Sequence, residues 1–397
     1  MSYRNLSILF VCQLISATGT FVLITLGGII GSTLSANKAL ATLPVSLMVV
    51  SVAATTIPAA LLMRRIGRKA GFALASLSAA LSMVLATYAL FTASFPWFVA
   101  AAAAFGINLA FTQQYRYAAA ESVAPVYTGR AISLVLLGAI GGAIVGPELI
   151  ARGEVLIDGK TYAGTLAGLA VLFVVQSILL LFLGPLRGED GTQITAAGRP
   201  LREIVTQPLF AVAVLGGTAA YGVMTLIMTA TPLSMHVHDG YSINETANVI
   251  RSHVLAMYVP SLVSGFLIER LGTVRMMMAG ATALLLACIV GLQGQSVSHY
   301  LSALILLGVG WNFLYVGGTT MLTLTYAINE RFKAQAVNDF CVFGTSATAS
   351  LLAGTVVHAQ GWYTLIVVPL PLLLLCLTSL FLVRRDRLLH RPASQAV

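Results

Sequence analysis

Long apolar runs separated by short polar breaks dominate the chain. There are about twelve: 8–33, 42–63, 70–92, 95–118, 131–151 and 163–185, then 208–233, 246–268, 274–295, 300–327, 335–357 and 361–383. Each approaches the roughly 20 residues that a helix needs to cross the hydrocarbon core of a bilayer. The runs are continuous rather than alternating, which predicts helices and not the strands of a barrel. The first run is too long for a signal peptide and no small-residue cleavage site follows it, so it reads as the first membrane helix. The longest polar break runs from Arg187 to Gln207 and contains Gly188-Glu189-Asp190-Gly191-Thr192-Gln193. The pattern therefore predicts an all-α membrane protein: a six-helix bundle over 1–186, a cytoplasmic linker over 187–207, a second six-helix bundle over 208–383 and a cytoplasmic tail over 384–397.

Composition removes the soluble alternative. Of 397 residues, 58% are hydrophobic and 9% charged, against about 25% charged in an ordinary soluble domain. A chain this apolar needs the bilayer as its solvent. The net charge of +9 invites a nucleic-acid partner, but its distribution argues otherwise. With the N-terminus cytoplasmic and the spans alternating, all of the 22 Lys and Arg fall on the cytoplasmic side except Lys38, Arg116, Arg152, Lys160 and Arg251. This is the positive-inside bias, so the basic residues set topology. It predicts a multi-pass inner-membrane protein with both termini cytoplasmic and no nucleic-acid partner.

Other chemistries lack their residues. Cys12, Cys288, Cys341 and Cys376 sit in separate predicted helices without metal-ligand or disulfide spacing. His236-Val237-His238-Asp239 offers at most three ligands in one short loop, so no metal is expected. No glycine-rich phosphate loop ends in Lys-Ser or Lys-Thr, so no nucleotide cofactor is expected and the proton gradient is the energy source.

The halves repeat. Arg65-Ile66-Gly67-Arg68-Lys69 follows the second run, and Glu269-Arg270-Leu271-Gly272-Thr273-Val274-Arg275 follows the eighth, an offset of 205 residues from Gly67 to Gly272. Gly106-Ile107-Asn108 in the fourth run matches Gly310-Trp311-Asn312 in the tenth at an offset of 204. With these features the chain resembles the major facilitator superfamily along essentially its whole length. The family's loop signature, approximately G-x-L-A-D-R-x-G-R-K, is similar to Ala60-Leu61-Leu62-Met63-Arg64-Arg65-Ile66-Gly67-Arg68-Lys69, with Ala60 at the glycine and Arg64 at the aspartate. The second copy, Gly265-Phe266-Leu267-Ile268-Glu269-Arg270-Leu271-Gly272, keeps both. The resemblance implies two pseudo-symmetric bundles that rock around a central site. Arg65, Gly67, Arg68, Glu269, Arg270 and Gly272 would then latch one conformation, or else anchor topology.

Gly142-Ala143-Ile144-Val145-Gly146-Pro147 in the fifth run is similar to part of a family motif associated with antiporters. Gly142, Gly146 and Pro147 would equally serve close helix packing and a bend.

Polar residues inside the runs supply the candidate chemistry. Asn108, Thr112 and Tyr115 share one helical stripe in the fourth run, with Gln113 and Arg116 beside it. Arg116 would either hold an anionic group of a substrate or pair with a carboxylate and report its protonation. The tenth run carries Trp311, Asn312 and Tyr315, and an aromatic beside an amide suits a flat organic ligand. The resemblance implies that the first, fourth, seventh and tenth helices line the cavity, adding Gln13, Thr18, Thr20, Tyr221, Thr225 and Thr229. Asp339 and Glu148 are the candidates for proton coupling, while Glu121 and Glu245 lie near run ends where solvation accounts for them. The reading is a monomeric secondary transporter in contact with the lipid bilayer, which moves a small organic molecule by proton-coupled alternating access, with efflux slightly favoured over uptake. The Gly142–Pro147 segment leans towards efflux; the Arg116 face and the absence of an acid in the first run lean towards uptake of a nutrient. A membrane sensor on the same fold is the alternative of another class.

Overall fold

The computed structural model describes residues 3–36, 40, 43–157, 162–187 and 198–389. Lys38, Lys160, residues 188–197 of the linker and 390–397 of the tail lie outside the described residues. Among the described residues the regular structure is helical, without strands. The α-helices are α1 (Tyr3–Leu34), α2 (Leu43–Ile66), α3 (Arg68–Phe91), α4 (Phe95–Thr112), α5 (Tyr115–Glu121), α6 (Thr128–Leu156) and α7 (Ala163–Leu181). After the linker come α8 (Leu201–Val205), α9 (Pro208–Pro232), α10 (Ile243–Tyr258), α11 (Ser261–Leu271), α12 (Thr273–Gln293), α13 (Val297–Leu322), α14 (Arg331–Val367) and α15 (Leu370–Leu389).

Among the described residues, 11 helical segments are long and apolar enough to cross a membrane. Two of the runs read from sequence as single helices are broken. The fourth splits at Gln113–Gln114 into α4 and α5. The eighth splits at Val259–Pro260, where the proline has no N–H to continue the backbone ladder. The eleventh run, 335–357, lies inside α14, whose helical path is interrupted at Gly361 (φ 78°, ψ 178°), near the start of the apolar segment Ala359–Arg384. Glu245 lies outside the spans and caps α10: Ser242 and Glu245 exchange side-chain and backbone hydrogen bonds, which hold the carboxyl below its usual range.

The chain forms two compact units, one of residues 1–195 with 335–340, the other of 196–334 with 341–397. In the first, α1 packs on α6, α2 on α4, and α3 on α7. Helix α3 shows why its run is apolar all round. Phe72, Ala79 and Met83 face the bundle, while Leu74, Leu81, Val84 and Tyr88 are exposed on the other side, a surface suited to lipid rather than water. In the second unit α13 is central and packs on α9, α10 and α12.

Gly67 (φ 82°, ψ 161°) and Gly272 (φ 85°, ψ 152°) have nearly the same left-handed backbone at the start of α3 and α12. Only glycine adopts it without strain, which accounts for both copies of the loop carrying one.

Small residues join α6 to α1. A methyl on Gly142 would lie 2.5 Å from the Ala17 methyl and 2.6 Å from its carbonyl carbon, and one on Gly146 would lie 2.5 Å from the Phe21 ring. Pro147 is exposed. This backbone approach is the small-residue packing of membrane helices. Gly142→Val is therefore expected to lower the apparent melting temperature of the purified protein, by an overpacking cost of about 1–3 kcal/mol.

Candidate functional site

The first unit contains a buried charge cluster where the α2–α3 turn, α4–α5 and the segment 335–340 meet. Arg68, fully buried, donates from Nε to Glu121 Oε2 (2.8 Å) and from Nη2 to Oε1 (2.7 Å), a bidentate pair. Its Nη1 reaches Gln114 Oε1 (3.2 Å) and its Nη2 reaches Gln335 Oε1 (2.6 Å). Gln114 passes the chain on, donating from Nε2 to Asp339 Oδ2 (2.6 Å). The other carboxylate oxygen, Oδ1, accepts from Arg116 Nη2, from the Tyr117 hydroxyl (2.9 Å) and from Asn338 Nδ2 (2.9 Å).

Arg116 is held from its own end as well. It donates to the Gln113 carbonyl (2.9 Å) and to Tyr117 Oη (3.0 Å), and its guanidinium lies 4.5 Å from the centre of the Tyr117 ring. The break between α4 and α5 serves this arrangement, because it carries Gln113 and Gln114 just before Arg116 in the first turn of α5. Two guanidiniums and two carboxylates lie on this hydrogen-bonded chain, so each of these charges has a counterion.

Arg116 and Asp339 were separate expectations from sequence, and here they are one ion pair. Of the residues read as a latch, Arg68 is the buried one, while Arg65 and Arg270 are exposed and Glu269 is half-buried. Glu121, assigned to solvation from sequence, is instead the partner of Arg68. Gln114, Tyr117, Gln335 and Asn338 were not singled out. The one available signal was the density of polar residues in Gln113–Tyr117 and Gln335–Asp339, on runs that are otherwise apolar.

The stripe on α4 has partners inside its own bundle. Thr112 Oγ1 donates to Ser16 Oγ (3.2 Å), Ser16 Oγ to Gln176 Oε1 (3.2 Å), and Gln176 Nε2 to the Tyr115 hydroxyl (3.0 Å). All four residues are buried. Thr112 and Tyr115 thus bind α1 and α7 together. Asn108 is buried beside them, and its Nδ2 has no hydrogen-bond partner among the described residues. Glu148 is exposed and forms an i,i+4 ion pair with exposed Arg152 (3.1 Å).

The second unit holds a cluster of aromatic rings. Tyr221 of α9 meets Trp311 (5.3 Å between centroids), Tyr315 (4.8 Å) and Phe343 (5.2 Å), each edge to face. Trp311 stacks on Tyr315 (5.1 Å, 22° between planes) and meets Tyr258 of α10 edge on (5.7 Å). Trp311 and Tyr315 are buried, but Tyr221 and Tyr258 are only partly so. Thr225, one turn beyond Tyr221, bonds Ser346 (2.8 Å). Asn312 faces α10 and α11, donating to the Met257 carbonyl (2.8 Å) and Ser261 Oγ (2.6 Å). Tyr258 and Phe343 join a cluster of which sequence had indicated only Trp311, Tyr315 and Tyr221.

Two further groups are structural. Asp239 accepts from the Tyr300 hydroxyl (2.7 Å), and no metal-binding cluster of His, Cys, Asp or Glu occurs among the described residues; the side chains of His236 and Val237 lie outside them. Near the linker, Arg199 clamps Glu330 (2.7 and 2.9 Å), outside the membrane spans. The guanidinium holds the Glu330 carboxyl at about 2. The lowered value means that the pair's contribution is complete above the usual carboxylate range and is lost only as pH falls towards 2.

Membrane-length helices around a buried charge cluster and an aromatic cluster define a polytopic membrane protein. The Major Facilitator Superfamily profile matches residues 9–250 and 215–397. The chain belongs to that superfamily and is a secondary transporter of a small molecule. Its relatives include the riboflavin transporter RfnT of Brucella anthropi, 39% identical over 380 residues that cover 96% of this chain and 95% of the relative. The uncharacterized MFS-type transporter YddS of Bacillus subtilis is 29% identical over 91% of this chain and 86% of its own length. Among solved structures, the human organic anion transporter MFSD10 superposes with TM-score 0.75 at 15% identity, covering 95% of this chain and 99% of that one. The transporter FucP in its outward conformation superposes with TM-score 0.74 at 16% identity over 97% of both chains. At those identities the structural likeness concerns the fold alone.

Proposed function

We propose that the chain carries riboflavin, or a closely related flat heteroaromatic compound, across the inner membrane by alternating access coupled to protons. The observation that carries this reading is the Tyr221-centred ring cluster, in a chain 39% identical to a riboflavin transporter over nearly its full length. A tricyclic ring needs apolar faces to lie against and few, well-placed polar groups to orient it. Tyr221 and Tyr258 supply partly open rings, and Trp311 and Tyr315 back them.

Asp339 is the coupling group in this reading. It is a fully buried carboxylate of α14, and the donors around it favour its ionised form. Adding a proton would remove the attraction that holds Arg116 and leave the cation to seek other partners. Arg68 and Glu121 share the same hydrogen-bonded chain through Gln114, so that chain is the latch. The positive-inside bias puts this cluster and both termini on the cytoplasmic side, with residues 1–186 and 208–383 as the rocking bundles of a monomer.

We infer uptake as the direction. The Gly142–Pro147 segment was the sequence feature favouring efflux, and its glycines have a sufficient role in packing α6 on α1. The test is riboflavin flux into liposomes containing the purified protein, with the pH gradient imposed in each direction. Saturable uptake driven by an acidic exterior supports the proposal; no saturable riboflavin flux in either direction overturns it. Riboflavin 5′-phosphate is expected not to compete, because the rings named above include no cation to offset burial of its phosphate.

A further inference from the structure

The chain has three tryptophans, and their indole N–H groups meet three different ends. Trp97 is half exposed, so its N–H is not enclosed by the protein. Trp362 is buried and donates to the Gly291 carbonyl at 3.0 Å. Trp311 is buried to 1% exposure, and its Nε1 has no hydrogen-bond partner among the described residues.

An orphaned donor in an apolar interior is costly, and buried indoles ordinarily find an acceptor. Trp311 does not lack polar neighbours in the chain. Asn312 follows it directly, but its Nδ2 is spent on Met257 and Ser261, and its Oδ1, on the next position round the helix, makes no hydrogen bond to the indole among the described residues. Nor is the indole free to turn towards water, because Tyr221, Tyr258 and Tyr315 pack on it. A second unpartnered polar atom lies on α9: the Thr218 hydroxyl, three residues before Tyr221 and therefore on the same side of the helix. The unpaired groups thus accompany the ring cluster whose central member, Tyr221, remains partly open.

We infer that Trp311 is a specificity-determining residue whose indole N–H is reserved for a carbonyl oxygen on the edge of the ring system that lies against Tyr221. The inference rests on the reading of this cluster as the substrate site. It narrows the substrate class: flat ring compounds with a carbonyl-bearing edge are held, and those with the same rings but no carbonyl are held poorly. The discrimination arises because the latter leave the buried N–H unpaired after water has been excluded.

The experiment is calorimetric titration of the purified full-length protein with riboflavin, lumichrome and phenazine. Lumichrome has three fused rings with two carbonyls; phenazine has three fused rings with none. Wild type is expected to bind lumichrome at least about tenfold more tightly than phenazine. Replacing Trp311 with 3-benzothienylalanine keeps the bicyclic shape and substitutes sulfur for N–H. That variant is expected to melt as wild type does and to lose most of this preference, with riboflavin affinity falling by about tenfold. Equal wild-type affinity for lumichrome and phenazine overturns the inference without any variant, as does an unchanged preference in the benzothienyl protein. Preference for lumichrome with no riboflavin binding keeps the inference and overturns riboflavin as the cargo.

Discussion

Arg116→Ala is expected to destabilise the protein by about 3–5 kcal/mol, and Asp339→Ala by a similar amount, while the double variant loses less than either. The reason is asymmetry. Each single substitution leaves one charge buried without its counterion, whereas the double substitution removes both together. Asp339 Oδ1 would keep only the neutral donors Tyr117 and Asn338 once Arg116 is gone. Thermal unfolding of the four proteins in detergent gives the coupling between the two sites directly. A double variant as unstable as the sum of the singles would show that the ion pair contributes nothing specific. Asp339→Asn adds the functional half of the test. It preserves size and keeps one accepting oxygen but cannot be ionised, so gradient-driven riboflavin accumulation is expected to disappear while riboflavin exchange at equal pH persists. Accumulation at the wild-type level would remove Asp339 from the coupling role.

Tyr221→Ala is expected to weaken riboflavin binding by about 10- to 100-fold with little change in fold. Stacking of a flat heterocycle on an aromatic side chain is worth about 1–3 kcal/mol, the scale measured for nucleobases. Tyr221 meets three further rings and is itself partly exposed, so it offers the open face. Tyr221→Phe keeps the face and is expected to bind riboflavin within a few fold of wild type. Titration of both variants decides the matter: wild-type affinity in Tyr221→Ala would move the substrate away from this cluster.

The largest features were legible in sequence because they depend on solvent and on local geometry. Apolar runs of membrane length dictate spanning helices, since an unpaired backbone in lipid is prohibitively costly. The repeated glycine loop was visible because a left-handed backbone at Gly67 and Gly272 admits few other residues. Arg116 and Asp339 stood out for a similar reason: ionisable groups within apolar runs are rare enough to draw suspicion singly.

What tertiary structure alone decided was the pairing. Nothing in the spacing of Arg68, Gln114, Arg116, Glu121 and Asp339 says that they form one chain, because hydrogen bonds between helices connect residues far apart in sequence. The α4 stripe illustrates the limit from the other side. Asn108, Thr112 and Tyr115 do share a buried face, as helical periodicity requires, but periodicity cannot tell a cavity wall from a packed bundle interior. Ser16 and Gln176 occupy the hydroxyls of Thr112 and Tyr115. Trp311 is the converse case, since its missing acceptor becomes visible only when every neighbour has been placed. The sequence by itself determined where the chain crosses the membrane and which side chains are too polar to face lipid; packing decided which of those groups are already satisfied and which are left with something to bind.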